Sequence, residues 1–397
     1  MSEEKDPFKF VGFSDVIQLE NGMATKKEIE ELLIFIGGFE KWPLLNEDCR
    51  REVVKYLDLQ SRFNLGICSK EDQETVEKVK IYVESVEILD NVGLDYPIYG
   101  KRPPDSVYVR IRFPNGKSIE WVFTQLEQDT RVRWSHDFPE QRPTAKEVIR
   151  KSCDYYHEAV KFAEKWIKKC NFELKFLTVE MAKYPIANSQ IKSLPCCKHV
   201  RIAANDVEVF EWWLKKVPEQ LDLLRLAAHN RIVGLFALPP NLLNSPQVMQ
   251  ASELDFLCKA VFSDEQFLKL KAKSIRLATA NVTDKGINQF IKNWVNGKGV
   301  NGFIQFRSAV INDRDPQVMI AGLEVEEWDG AFGNEQWKFV EDFNWRYGRP
   351  GRRYQIKSKV DRFESLTLSI REGGLGIYAT GKRVENNGNT STVYMLP

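Results

Sequence analysis

The chain has 397 residues, 43% hydrophobic and 28% charged, a composition that suits about two to three globular folding units and excludes a disordered or fibrous chain. Lysine and arginine number 57 against 56 aspartates and glutamates, so no net basic field exists to hold nucleic acid or anionic lipid. No apolar run has the length of a bilayer crossing, and the acidic start Met1-Ser2-Glu3-Glu4-Lys5-Asp6 lacks the apolar stretch of a secretory signal, which points to the cytosol or nucleus.

Residues 1–41 read as an N-terminal extension with one short amphipathic helix over Lys26 to Ile36, where Ile29, Leu32, Leu33 and Ile36 fall at helical spacing before Gly37-Gly38. Residues 42–80 read as a compact module of three short helices. Asn46 is a helix cap with Glu47 and Asp48 at the positive end of the dipole, and Cys49, Val53 and Leu57 form one stripe with Val54 beside it. Phe63, Leu65 and Ile67 supply a second apolar turn, and Ser69 caps a third helix carrying Val76 and Val79. So few apolar residues bury little area, and the module is expected to lean on a neighbour or partner.

Residues 81–143 read as a connecting region containing a β-hairpin, Ser106 to Phe113 returning through Ser118 to Phe123 across Pro114-Asn115-Gly116-Lys117. Thr130 to Pro143, rich in charge and proline, reads as a loop. Residues 144–397 read as one large domain. Its first helix is expected to open at Thr144, with Glu147 completing a capping box and Val148, Ala159, Phe162, Ala163 and Trp166 as its apolar contacts. Strand-like stretches follow at Leu174 to Val179, His199 to Ala203 and Leu221 to Leu226, roughly every 24 residues, inside the range of leucine-rich repeats. Further ones lie at Ser274 to Ala278 and Gly302 to Phe306, separated by helices such as Val207 to Lys216 and Asp284 to Val295. The expected fold class is therefore α+β or α/β: a three-helix module, then degenerate leucine-rich-repeat-like strand-helix units with antiparallel hairpins. The chain end, from Leu366 through Tyr378 to Val393, reads as antiparallel strands turning at Asn387-Gly388.

Motifs for chemistry are looked for and not found. Gly116-Lys117-Ser118 resembles the end of a phosphate loop, but Ile111 stands where the upstream glycine belongs, and a hairpin turn explains it. Gly297-Lys298-Gly299 follows a helix and reads as its stop. The four histidines show no zinc or catalytic spacing, and His157 beside Cys153 and Asp154 reads as structural. The seven cysteines lack framework spacing; Cys196-Cys197 reads as buried structural cysteine. No metal, cofactor or catalytic residue is expected. Aromatic residues such as Trp212-Trp213, Trp328, Trp337 and Trp345 anchor a partner if exposed, with core packing as the plainer reading.

Trp42-Pro43-Leu44-Leu45, followed by Glu52 to Leu59, Phe63-Asn64-Leu65 and Cys68-Ser69-Lys70, resembles an F-box. Ser274-Ile275-Arg276-Leu277 followed by Asn281 to Gly297 resembles the hallmark of the type-two F-box-associated domain of a large nematode family of F-box proteins. The resemblance implies a non-catalytic substrate receptor of a Skp-cullin-F-box ubiquitin ligase. Pro43, Leu44, Leu45, Val53, Leu57, Phe63 and Leu65 would supply adaptor contacts or the module's core, and the large domain would hold an unidentified target protein, with neither nucleic acid nor membrane as partner. Asn281, Thr283, Asp284, Asn288, Phe290, Trp294 and Gly297 belong to the hallmark, whose spacing reads as a capped, apolar-striped helix: a mark of fold and not of ligand. Asn46-Glu47-Asp48-Cys49 departs from the family, which usually carries a second leucine-proline pair there. That departure motivates an alternative, a binding scaffold whose F-box has no ligase role.

Overall fold

A computed structural model of the chain describes residues 42–57, 59–79, 82–90, 105–114, 116–137, 146–169, 174–194, 196–229, 237–309, 314–348, 351–386 and 389–397. The helix expected at Lys26 to Ile36, the cap at Thr144 and the turn at Asn387-Gly388 lie outside them. The fold is mixed α/β and divides into two compact units, one ending at Tyr82 and the other beginning at Val83.

The first unit holds three helices, α1 (Glu47–Tyr56), α2 (Leu59–Gly66) and α3 (Lys70–Lys78). Asn46 accepts a hydrogen bond from Cys49 N and Ser69 from Asp72 N, so the polar residues read as caps do start α1 and α3. Its core is small: Trp42, Val54, Leu65 and Val79 are buried, with Leu45, Leu57 and Val76 packed against them. The inward residue of α1 is Val54, not the stripe through Cys49 and Val53, which are exposed. The helix is too short and polar for its periodicity to choose between adjacent valines.

The second unit is built on one large sheet. Its antiparallel side comprises β1 (Ser85–Asp90), β2 (Ser106–Arg112), β3 (Ser118–Leu126), β4 (Asp129–Asp137) and β5 (Lys146–Arg150), each paired with the next. The hairpin stands as read, with Phe113 N donating to Lys117 O at 2.9 Å. Two expectations fail here. Thr130 to Pro143 is not a loop through Asp137, because Val132 and Trp134 bury one face of β4 beneath its charges. Residues 146–150 are strand and not helix; α4 (Tyr155–Lys169) starts later, where Asp154 accepts from His157 N.

The other side is parallel. From β1 the sheet continues through β6 (Leu174–Glu180), β7 (Cys197–Ala204), β8 (Leu223–Ala228), β10 (Glu253–Ala260), β11 (Ser274–Ala280) and β12 (Gln305–Ala309). Between these strands lie α5 (Val207–Leu214), the two-residue β9 (Ala237–Leu238), α6 (Pro240–Leu243), α7 (Pro246–Gln250), α8 (Asp264–Lys269) and α9 (Asp284–Val295). β10 is not among the strands expected from the sequence, although Leu254, Phe256, Cys258 and Ala260 alternate inward along it. Beyond β12 come α10 (Pro316–Ile320), β13 (Val325–Glu327), α11 (Gly330–Glu335), α12 (Trp337–Tyr347), β14 (Arg352–Lys357), β15 (Ser365–Arg371), β16 (Gly374–Asn386) and β17 (Asn389–Tyr394). β16 closes antiparallel on β12.

One face of every parallel strand is apolar. Leu177, Val200, Leu224, Leu254, Ile275 and Phe306 stand in register across six strands and are essentially buried. Most residues between them point the other way and are half-exposed or charged, the buried Ala203 and Ala227 excepted, the alternation expected of a sheet covered mainly on one face.

Candidate functional site

In the helical unit the decisive feature is what stays outside. Pro43 and Leu44 follow the buried Trp42 and are exposed, Leu44 to 81%; Val53 is 42% exposed, and Tyr56 and Ile67 are 86% and 55% exposed. Of the other residues expected to make contacts or core, Leu65 is buried and Leu45 and Leu57 are half-buried against the core; the side chain of Phe63 lies outside what is described. Tyr56 and Ile67 are not among the residues that the resemblance marks for contacts, though Ile67 belongs to the second apolar turn and Tyr56 stands three residues after Val53 and so shares its helix face.

Polar links set the orientation of this apolar group. Trp42 Nε1 donates to the buried Asp72 Oδ1 at 2.6 Å, and Ser69 Oγ donates to Asp72 Oδ2 at 2.7 Å, tying the chain entry to the start of α3. Arg62 donates to the carbonyls of Lys55 and Leu57 at the end of α1. Lys78 Nζ, 2.8 Å from Glu47, and Arg51 together hold the exposed Glu47 carboxyl down at about 2.

In the sheet unit the hallmark helix α9 is bound on every side. Thr283 Oγ1 accepts from Gly286 N at 3.1 Å, while the carboxylate of Asp264 accepts from both the backbone N and the hydroxyl of Thr283. Asp284 accepts from Arg314 at 2.9 Å and from Asp315 N at 3.0 Å. The buried Asn288 donates to the carbonyls of Met319 and Ala321 at 2.8 and 3.0 Å, satisfying two backbone groups at the C-terminal end of α10. Phe290 is buried between Phe267 and Phe303, Trp294 is half-buried, and Gly297 takes the left-handed conformation that ends the helix. Asn281 is exposed, beside Ser263 and Asp264 at the rim of a shallow cleft. These side chains knit α8, α9 and α10 together.

Among the described residues no group of three His, Cys, Asp or Glu gathers as metal ligands, and no helix is long and apolar enough to cross a membrane. Cys197 and Cys258 are buried, which pushes each thiol up to about 12 and leaves it protonated. Of the pair read as structural, Cys197 takes the buried position of its strand and Cys196 is exposed, as neighbours pointing to opposite faces do. His157 is exposed in the first turn of α4, its Nδ1 2.8 Å from the capping Asp154. Of the tryptophans, Trp213 is fully buried and Trp212 and Trp328 are half-buried, but Trp337 and Trp345 on α12 are 64% and 89% exposed.

Residues 42–84 match the F-box domain family and residues 247–301 match the family described as F-box associated. The chain is 40% identical over 386 residues to an uncharacterised F-box protein of Caenorhabditis elegans, covering 96% of this chain and 98% of that one. No solved structure matches it. An F-box fold with outward apolar side chains, a second unit knit around the hallmark helix and a full-length relative of the same build together establish that the chain belongs to the nematode family of F-box proteins that carry an F-box-associated domain.

Proposed function

We propose that this protein is a substrate-recognition subunit of a Skp-cullin-F-box ubiquitin ligase, working in the cytosol or nucleus. The observation that carries the reading is the group of large apolar residues, Leu44, Val53, Tyr56 and Ile67, exposed on a helical unit whose own core is four buried side chains. Helices spanning fewer than about 40 residues rarely bury enough area to stand alone, and docking on a Skp-family adaptor completes the core while covering those residues. The adaptor in turn attaches the chain to a cullin. The sheet unit, read as a degenerate leucine-rich-repeat-like run of parallel strands, holds the target with its uncovered face and with the exposed Trp337 and Trp345. Catalysis of ubiquitin transfer is then a matter of proximity, and the receptor supplies no reacting group.

Co-purification with a Skp-family adaptor tests this. Wild type is expected to bind, and Leu44→Asp with Val53→Asp to lose more than about a hundredfold in affinity, since each carboxylate would be buried unpaired. An unchanged far-UV circular dichroism spectrum shows that the variant is folded. Folded wild type that captures no adaptor refutes the ligase role and favours the scaffold reading that Asn46-Glu47-Asp48-Cys49 suggests.

A further inference from the structure

The uncovered face of the sheet carries one cross-strand row of charge, and its two halves differ. On the antiparallel side Glu120, Arg110 and Glu87 stand in register, and Arg110 lies 2.6 Å from Glu120 and 3.4 Å from Glu87, so the charges are matched. On the parallel side the same row reads Arg201, Arg225, Asp255, Arg276, Arg307 across five consecutive strands. Arg201 and Arg225 are direct partners, and so are Arg276 and Arg307. Like charges placed opposite each other destabilise a sheet, so the folded core bears this arrangement as a cost.

Among the described residues two carboxylates serve three of the four guanidiniums. Glu180 is 2.6 Å from Arg201, and Asp255 is shared between Arg225 at 3.3 Å and Arg276 at 3.8 Å. Among the described residues no carboxylate reaches Arg307; its guanidinium rests 5.3 Å from the ring centre of Tyr347 at the end of α12. Where the row meets β16 a cleft of about 220 Å³ opens, lined by Arg276, Arg307, Arg371, Ser369 and Tyr378 and, among the described residues, by no acidic side chain. Gly376 stands in register with Arg307, and the ring of the buried Tyr378 lies over it, where a Cβ would meet the ring at 2.4 Å, so Tyr378 forms the wall of the cleft on that side. The cleft is smaller than the roughly 300–1,000 Å³ of small-molecule sites and fits one anchoring side chain of a longer ligand.

We propose that this row and cleft are the target-docking surface and that they take an extended acidic segment of a target protein, its carboxylates seated on Arg307, Arg276 and Arg371. The assignment names the chemistry of the target within the receptor role and in that sense rests on it. Carboxylate suits the row better than phosphate: Asp255 beside Arg276 repels a dianion more than a monoanion.

The test is fluorescence anisotropy with full-length protein and a labelled decaglutamate peptide at low ionic strength. Saturable binding is expected, weakened at least about tenfold by Arg276→Glu with Arg307→Glu and by no more than about twofold by Lys161→Glu with Lys382→Glu, which changes net charge equally at exposed positions elsewhere. The Arg276→Glu, Arg307→Glu variant is also expected to co-purify with the adaptor at the wild-type level. Absent saturable binding, equal losses in both variants, loss of the adaptor together with the peptide, or capture of a phosphoserine decapeptide alone each overturns the proposal. Wild type that binds decaglutamate but captures no adaptor refutes the ligase role and leaves the acidic-segment surface standing.

Discussion

The two units divide their chemistry in opposite ways. The helical unit buries Trp42, Val54, Leu65 and Val79 and leaves Leu44, Val53, Tyr56 and Ile67 outside, so its surplus is apolar. The sheet unit buries register after register of aliphatic and aromatic side chains and leaves guanidiniums on its open face, so its surplus is charge. The contrast follows from size. A short helical segment has too little interior to enclose its own hydrophobic residues and is completed by a partner. A long sheet has interior to spare and tolerates repulsion along its surface.

If the sheet core is self-sufficient, emptying it is the most damaging single change. Phe306 on β12 is 1% exposed and packs on Phe267 with ring centres 5.0 Å apart. Phe306→Ala is expected to destabilise the protein by about 3–5 kcal/mol, read as a fall in denaturation midpoint. A loss below about 1 kcal/mol is within the range of an unimportant contact and would break the claim of a tight core.

The smaller unit is sensitive to one hydrogen bond. Trp42→Phe keeps the ring's apolar contact but removes the indole donor that meets the buried Asp72 at 2.6 Å, leaving part of that carboxylate unsatisfied. The expected cost is about 1–3 kcal/mol, seen as faster hydrogen exchange of the α1 and α3 amides while those of β7 and β8 keep their protection. Equal acceleration in both sets would mean that the contrast between the units is false.

These features differ in how far the sequence shows them. Caps and turns are local: Asn46, Ser69 and Thr283 are read from their immediate neighbours, and α9 has both its boundaries and its stripe in view. β4 is hidden because Arg131, Arg133 and Asp137 mask the alternation of Val132 and Trp134. The choice of Val54 over Val53 as the inward residue depends on where α3 packs. The arginine row is the least legible feature, since Arg201, Arg225, Arg276 and Arg307 become neighbours only through strand register. The hallmark of the F-box-associated domain holds one member of the row, Arg276, but Arg201, Arg225 and Arg307 lie outside it, so the motif alone does not show that the four meet.

The smallest expected effect tests whether the pair of Glu47 and Lys78 helps the short core of the helical unit to hold α1 against α3. Glu47, in the first turn of α1, lies 2.8 Å from Lys78 in the last turn of α3, and Lys78 and then Arg51 hold its carboxyl at about 2 against an ordinary 4.5. A carboxyl whose pKa is depressed on folding adds stability that is complete above its unfolded value and disappears as pH falls through its folded value. The contribution is therefore present above about 4.5 and lost between there and about 2. The group is exposed, so salt screens it and the change in stability is small. Its titration by carbon-detected NMR is the sensitive measurement. A midpoint well below 4.5 that moves back toward it in Lys78→Ala shows the Glu47–Lys78 pair at work. A wild-type midpoint near 4.5 shows that this pair has no part in setting the angle of α1, and with it the direction in which Val53 and Tyr56 face; both then rest on the buried side chains and on the Arg50–Glu71 contact.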